Sequence, residues 1–143
     1  SQDASKHSQD KEVGMAYPIN HVHIRSTEPH RSADWYKKHF GARVLEEVEI
    51  RPGYRTIRMA VEGGTRIYIS APGQAESLPR GSAETHLGLD HFGFDVPDLD
   101  AELERLESQG VPIRLPATVL ADGMKVALID APDDVVIELV EAR

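Results

Sequence analysis

The chain contains no cysteine, which removes disulfides, zinc ribbons and thiol catalysis from consideration. It has no apolar run long enough to cross a bilayer as a helix. Basic residues are outnumbered, 16 Lys and Arg against 24 Asp and Glu, and the net charge of −8 argues against a broad nucleic-acid surface. Neither a membrane nor a nucleic acid is an expected partner. The basic residues that do occur, among them Arg25, Arg51, Arg58 and Arg66, allow a local lining for an anionic small molecule.

What is present suits one domain: 143 residues, 40% of them hydrophobic. Residues 1–17 are polar and non-periodic and read as a flexible N-terminal tail, leaving 18–143 as a single domain. The first residue is Ser, which reads as a tag remnant or as the end left by leader cleavage. The expected location is cytoplasmic, with export as the alternative.

Ile19 to Ile24 reads as a strand with Val22 and Ile24 on one face and His21 and His23 on the other. Thr27 is the expected cap of a helix that has Pro29 in its first turn and stops at Gly41. Three strands follow, 43–50, 54–62 and 65–71, separated by Pro52-Gly53 and Gly63-Gly64. Residues 72–88 are rich in Gly, Pro, Ser and Glu and read as a linker. The order then repeats. A strand over 89–96 carries His91. A helix capped by Asp98 has Leu99, Leu103 and Leu106 as its stripe and stops at Gly110. Three strands follow, 113–120 broken at Pro116, 124–130 and 135–141.

An offset of 70 superposes the halves: His21 falls on His91 and Tyr68 on Glu138. The expected fold is therefore α+β. Two pseudo-symmetric βαβββ units, 18–71 and 89–143, form a curved mixed sheet, a half-barrel, around a metal site. Equivalent positions in such a sheet meet near its two-fold axis. A lone strand histidine is ordinarily structural, and a carboxylate such as Glu138 is costly to bury without a partner. Together, His21, His91 and Glu138 make two imidazoles and one carboxylate from three strands. That set suits a divalent metal ion (Fe, Mn, Zn, Ni or Co) and leaves positions open for substrate or water. His23 faces the same side as His21 and is placed to act as a general acid or base. Arg58 and Arg66 read as solvated edge residues, His39 as structural and favourable to its helix dipole, and His7, His30 and His86 as solvated.

The stretches NHVHI, ADWYKKHFGARV, LDHFGFDVPDLDAELERLESQGV and APDDVVIELVE together resemble the vicinal oxygen chelate superfamily. That superfamily includes glyoxalase I, methylmalonyl-CoA epimerase, extradiol dioxygenases and bleomycin-binding proteins. The resemblance covers about residues 18–142. It implies ligands at His21, His91 and Glu138. At the fourth position glyoxalase I and the epimerase carry Glu or Gln, whereas this chain has Tyr68. Tyr68 is left as a phenolate ligand, a hydrogen-bond donor to substrate or a lining residue. The resemblance further implies a small oxygenated substrate, a homodimer, and metal-dependent lyase or isomerase chemistry. The alternatives are an Fe(II) extradiol-type dioxygenase and a non-catalytic drug- or metabolite-binding protein.

Overall fold

Val22 and Ile24, Ile57 and Met59, and Ile67 and Ile69 alternate with polar neighbours, and this period of two sets which sheet face turns inward. The computed structural model describes residues 16–141. The stretch 1–15, with His7, lies outside the described residues. The elements run β1 (His21–Arg25), α1 (Pro29–Phe40), β2 (Arg43–Arg51), β3 (Tyr54–Ala60) and β4 (Arg66–Ser70). After a long loop come β5 (Phe92–Val96), α2 (Leu99–Ser108), β6 (Ile113–Val119), β7 (Lys125–Ala131) and β8 (Val135–Glu141).

Each half folds as βαβββ with the same strand order, β1-β4-β3-β2 and β5-β8-β7-β6. The first and last strands of each half pair in parallel and the remaining neighbours pair antiparallel. The register is duplicated: His23 stands opposite Tyr68, and Gly93 opposite Glu138. In place of one continuous curved sheet there are two four-stranded sheets, with no ladder between β1 and β5 among the described residues. Side chains fill the junction: the rings of Phe40 and Phe94 pack with centroids 4.6 Å apart.

The halves share one buried core, drawn from Ile24, Tyr36, Met59, Ile67 and Ile69 of the first and Leu99, Leu106, Ile129, Ile137 and Leu139 of the second. His39 and Gln109 are equivalent positions, 70 residues apart, and they meet across the junction with Nδ1 2.8 Å from Oε1. Arg105 donates to the backbone carbonyl of His39 at 2.7 Å, and Ser32 Oγ donates to Asp133 at 2.6 Å.

The helix ends follow from local chemistry. Asp98 caps α2 by accepting from the Ala101 N–H at 3.1 Å. Helix α1 leaves through Gly41 at φ +64°, whose N–H returns to Lys37 O at 3.1 Å. Its start differs from expectation. Glu28, not Thr27, is the N-cap and makes no side-chain cap bond. Pro29 holds the first helical position, and Ser26 Oγ accepts from the Glu28 N–H, leaving Thr27 outside the helix. Strand β6 runs through Pro116 without breaking, although its pairing slips on either side. It is an edge strand, where a missing N–H costs no ladder bond. Strand β5 begins at Phe92, so His91 stands just ahead of it. Among the described residues no helix is long and apolar enough to cross a membrane.

Candidate metal centre

Strand alternation places the polar side chains. Ile137 and Leu139 are buried in the core, which turns Glu138 to the opposite face, where it is half-buried. Ile67 and Ile69 do the same for Tyr68, and Ile24 for His23.

In the second half His91 stands between two carboxylates. Its Nε2 is 2.8 Å from Glu138 Oε2 and its Nδ1 is 2.6 Å from Asp90 Oδ2. Gly93 lies opposite Glu138. A Cβ at that position would come 3.2 Å from the Glu138 carbonyl oxygen, so glycine lets the two strands close beside this pair. In the first half His21 Nδ1 is 2.8 Å from Asn20 Oδ1. Its ring stacks on Tyr68, centroids 4.1 Å apart and planes 14° from parallel. Asn20 and Asp90 are themselves equivalent under the repeat. Each occupies the Nδ1 of the next histidine and leaves Nε2 as the nitrogen available for binding. Outer partners of this kind orient metal-bound imidazoles.

His23 Nε2 lies 2.7 Å from Ser70 Oγ, and Ser70 is buried. Burial, followed by the charges of Arg25 and His21, holds the His23 imidazole below its ordinary pKa. The shift favours the neutral imidazole of His23.

His21, His23 and His91 line one cavity of about 730 Å³, together with Arg25 and His86. Tyr68 and Glu138 are not part of its lining. A larger groove of about 1310 Å³ runs between the halves past Val22, Phe40 and Phe94, and His91 is the one proposed ligand that it reaches.

The donor chemistry fits a divalent ion. Two atoms bound to one ion at about 2.1 Å stand roughly 3 Å apart, close to the separation of His91 and Glu138. The full set is not assembled, however. Among the described residues no three of His, Asp and Glu are grouped closely enough to hold a metal ion. One chain thus brings together His91 with Glu138, and His21 with Tyr68, as two half-sites.

Some neighbours escaped the sequence reading. The repeated Asn-His and Asp-His pairs, offset by 70, were the available signal for Asn20 and Asp90. Ser70 was placed by strand alternation on the same face as Tyr68, but no sequence signal paired it with His23. Arg58 is not a solvated edge residue. It pairs with Glu46 at 2.7 Å, and its Nε is buried without a hydrogen-bond partner among the described residues. His86 lines the cavity with Nδ1 2.7 Å from the Glu84 carbonyl oxygen. His30 is mostly exposed but pairs with Glu47 at 3.0 Å. His39 is structural, as expected from its place in α1.

Two βαβββ halves with a histidine at or just ahead of the head of each first strand define a duplicated α+β domain. The chain belongs to the Glyoxalase/Bleomycin resistance protein/Dioxygenase superfamily, whose model matches residues 18–139. It is 30% identical to a Pseudomonas aeruginosa protein named lactoylglutathione lyase, over 91% of this chain and 85% of that protein. A glyoxalase family protein from Enterococcus faecalis superposes with a TM-score of 0.70 at 27% identity, over 87% of this chain and 97% of the other. A glyoxylase/bleomycin resistance protein/dioxygenase domain from Frankia superposes with a TM-score of 0.73 at 21% identity, over 90% and 99%, a likeness of fold.

Proposed function

We propose that the protein is a divalent-metal-dependent lyase or isomerase of the glyoxalase type. It would move a proton between adjacent oxygen-bearing carbons of a small substrate. The observation that carries this reading is the Asp90–His91–Glu138 row, an oriented imidazole beside a carboxylate. The likeness to the Pseudomonas lactoylglutathione lyase supports the reaction class. His21, His91 and Glu138 would hold the ion. When bound, a divalent ion supplies Lewis acidity toward the vicinal oxygens of the substrate. His23 takes the proton from the hydroxyl-bearing carbon next to the carbonyl and returns it to the former carbonyl carbon, while the hydroxyl proton passes from the first oxygen to the second, so atoms balance without a co-reactant. Its hydrogen bond to Ser70 fixes the ring, and its lowered pKa keeps it unprotonated before substrate arrives.

The half-sites join, in this reading, across two copies of the chain. Strand β2 leaves Val44, Leu45 and Ile50 exposed, by 40%, 39% and 58%, an apolar edge suited to a second copy. Mixing His21→Ala chains with His91→Ala chains tests this. Sites shared between copies regain up to one intact site per mixed dimer, and sites within one chain regain none.

The direct test is elemental analysis of the purified protein, followed by lactoylglutathione formation from methylglyoxal and glutathione. Metal bound by wild type and lost in His91→Ala, with product formed only by the loaded protein, is the expected result. A protein that takes up no divalent ion ends this reading. One observation favours a second reading: Tyr68 stands beside His21 at the position where a fourth ligand would complete the set. A three-donor Fe(II) site suits extradiol-type ring cleavage, and oxygen uptake with a catechol after anaerobic Fe(II) loading distinguishes it.

A further inference from the structure

On the outward face of the first sheet four side chains, one from each strand, touch in succession: His21, Tyr68, Arg58 and Glu46, with His21 reaching Tyr68 diagonally because His23 is the residue opposite it. Arg58 is directly opposite Tyr68 on one side and Glu46 on the other. Its Nη1 donates to Glu46 Oε1 at 2.7 Å. Its guanidinium carbon lies 5.1 Å from the Tyr68 ring centroid, within cation–π range. Tyr68 in turn stacks on His21 at 4.1 Å. Among the described residues the Tyr68 hydroxyl makes no hydrogen bond. The contacts of Tyr68 are made by its ring.

We propose that Tyr68 acts through its ring and not its hydroxyl: Arg58, braced by Glu46, holds the ring so that it fixes the plane of the His21 imidazole. Tyr68 and Arg58 are then positioning residues. The argument is one of freedom removed. His21 is exposed, and Asn20 constrains it at Nδ1 alone, so the ring can still rock about that bond. A stacked aromatic face removes the rocking. A half-exposed tyrosine has rotational freedom of its own, which the guanidinium limits, and the ion pair with Glu46 holds the guanidinium. The row thus replaces, by stacking, the orientation that a second carboxylate supplies in the other half. The buried Arg58 Nε accords with this, because a ring face can take an N–H that has no oxygen partner.

The inference rests on His21 being a ligand, and the experiment separates the two claims. Tyr68→Phe, Tyr68→Ala and Arg58→Met are compared with wild type for Co(II) affinity by chelator competition and for the visible spectrum of the Co(II) protein. The His21 ring-proton shifts are read by NMR in the metal-free protein. Tyr68→Phe is expected to match wild type within about twofold and keep the spectrum. Tyr68→Ala is expected to lose about tenfold in affinity and alter the spectrum, the range of an outer-partner loss. Arg58→Met is expected to fall between them. In the metal-free protein the His21 ring protons are expected upfield in wild type and Tyr68→Phe, and released in Tyr68→Ala. Unshifted His91 resonances in each variant show that the fold is kept. The proposal is overturned if Tyr68→Phe behaves as Tyr68→Ala, or if Tyr68→Ala leaves the His21 shifts unchanged. If wild type binds no Co(II), the metal reading fails and the metal-free shifts still decide the role of Tyr68.

Discussion

The two halves of this chain share a backbone and differ in what they place on it. Both put a histidine at the head of the first strand and hold its Nδ1 with the preceding residue, Asn20 in one case and Asp90 in the other. Both set the partner position in the middle of the last strand. There the likeness ends. His91 meets the carboxylate of Glu138, whereas His21 meets the aromatic face of Tyr68. The next position across the sheet diverges as well: Arg58 is opposite Tyr68, and Leu128 is opposite Glu138. Cation and aromatic ring go together in one half, carboxylate and aliphatic side chain in the other. The register of a duplicated unit is held by its buried alternation, because a one-residue slip would turn every core side chain outward. The opposite face is not bound in that way, and it is there that the halves differ.

This difference also explains which features were legible in the sequence. The elements that depend on inward-facing residues and on helix punctuation were readable. Strand β8 matches its expected limits of 135–141, Asp98 caps α2, and Gly41 ends α1. The repeat pointed to His21, Tyr68, His91 and Glu138 as partner positions, and in each half the register sets the last-strand member opposite the residue two beyond the histidine, Tyr68 opposite His23 and Glu138 opposite Gly93. What could not be read depends on contacts between elements far apart in sequence. The packing at the junction between the two sheets depends on Phe40 meeting Phe94, and the stacking of Tyr68 on His21 on the reach of side chains between neighbouring strands. The displaced cap at Glu28 depends on Ser26 taking the local donor. None of these has a periodic signal.

The largest expected effect tests whether the halves are energetically one body. Ile69 and Leu139 are fully buried and lie in the same cluster. Ile69→Ala and Leu139→Ala are each expected to cost about 2–5 kcal/mol, the usual range for emptying a packed site of this size. Both are expected to lower a single cooperative transition followed by heat or denaturant. Two separate transitions, each moved by one substitution alone, would show that the shared core does not couple the halves.

A smaller effect sharpens the comparison at the candidate centre. Asp90→Ala and Asn20→Ala each remove the partner of a histidine Nδ1. Outer partners of this kind are worth about 10–100-fold in metal affinity. The Asp90 change is expected at the upper end, because a carboxylate makes a stronger, charge-assisted bond than an amide and stands closer, 2.6 Å against 2.8 Å. Chelator competition with Zn(II) reads both. Equal losses would mean that the charge at position 90 contributes nothing beyond orientation.

The smallest effect concerns the place where the halves touch through equivalent positions bearing different residues. His39 titrates, and Gln109 does not. Burial is the main influence on His39 and lowers its pKa. The hydrogen bond to Gln109 opposes this, and the charges of Lys38 and Arg105 add to it. Because the folded pKa lies below the unfolded value near 6.5, the unfolded chain binds the extra proton first as pH falls. The stability contributed by neutral His39 is therefore complete above that value. It declines as pH drops toward the lowered folded pKa, and it is flat below. His39→Gln keeps a polar side chain at the junction and removes the titration. Denaturant midpoints between pH 7 and pH 5 are expected to fall less in this variant than in wild type. His23 contributes a slope of the same sign to both proteins, so the difference between the two profiles isolates His39. Parallel profiles would place the pH dependence elsewhere and leave the contact between positions 39 and 109 as one of packing alone.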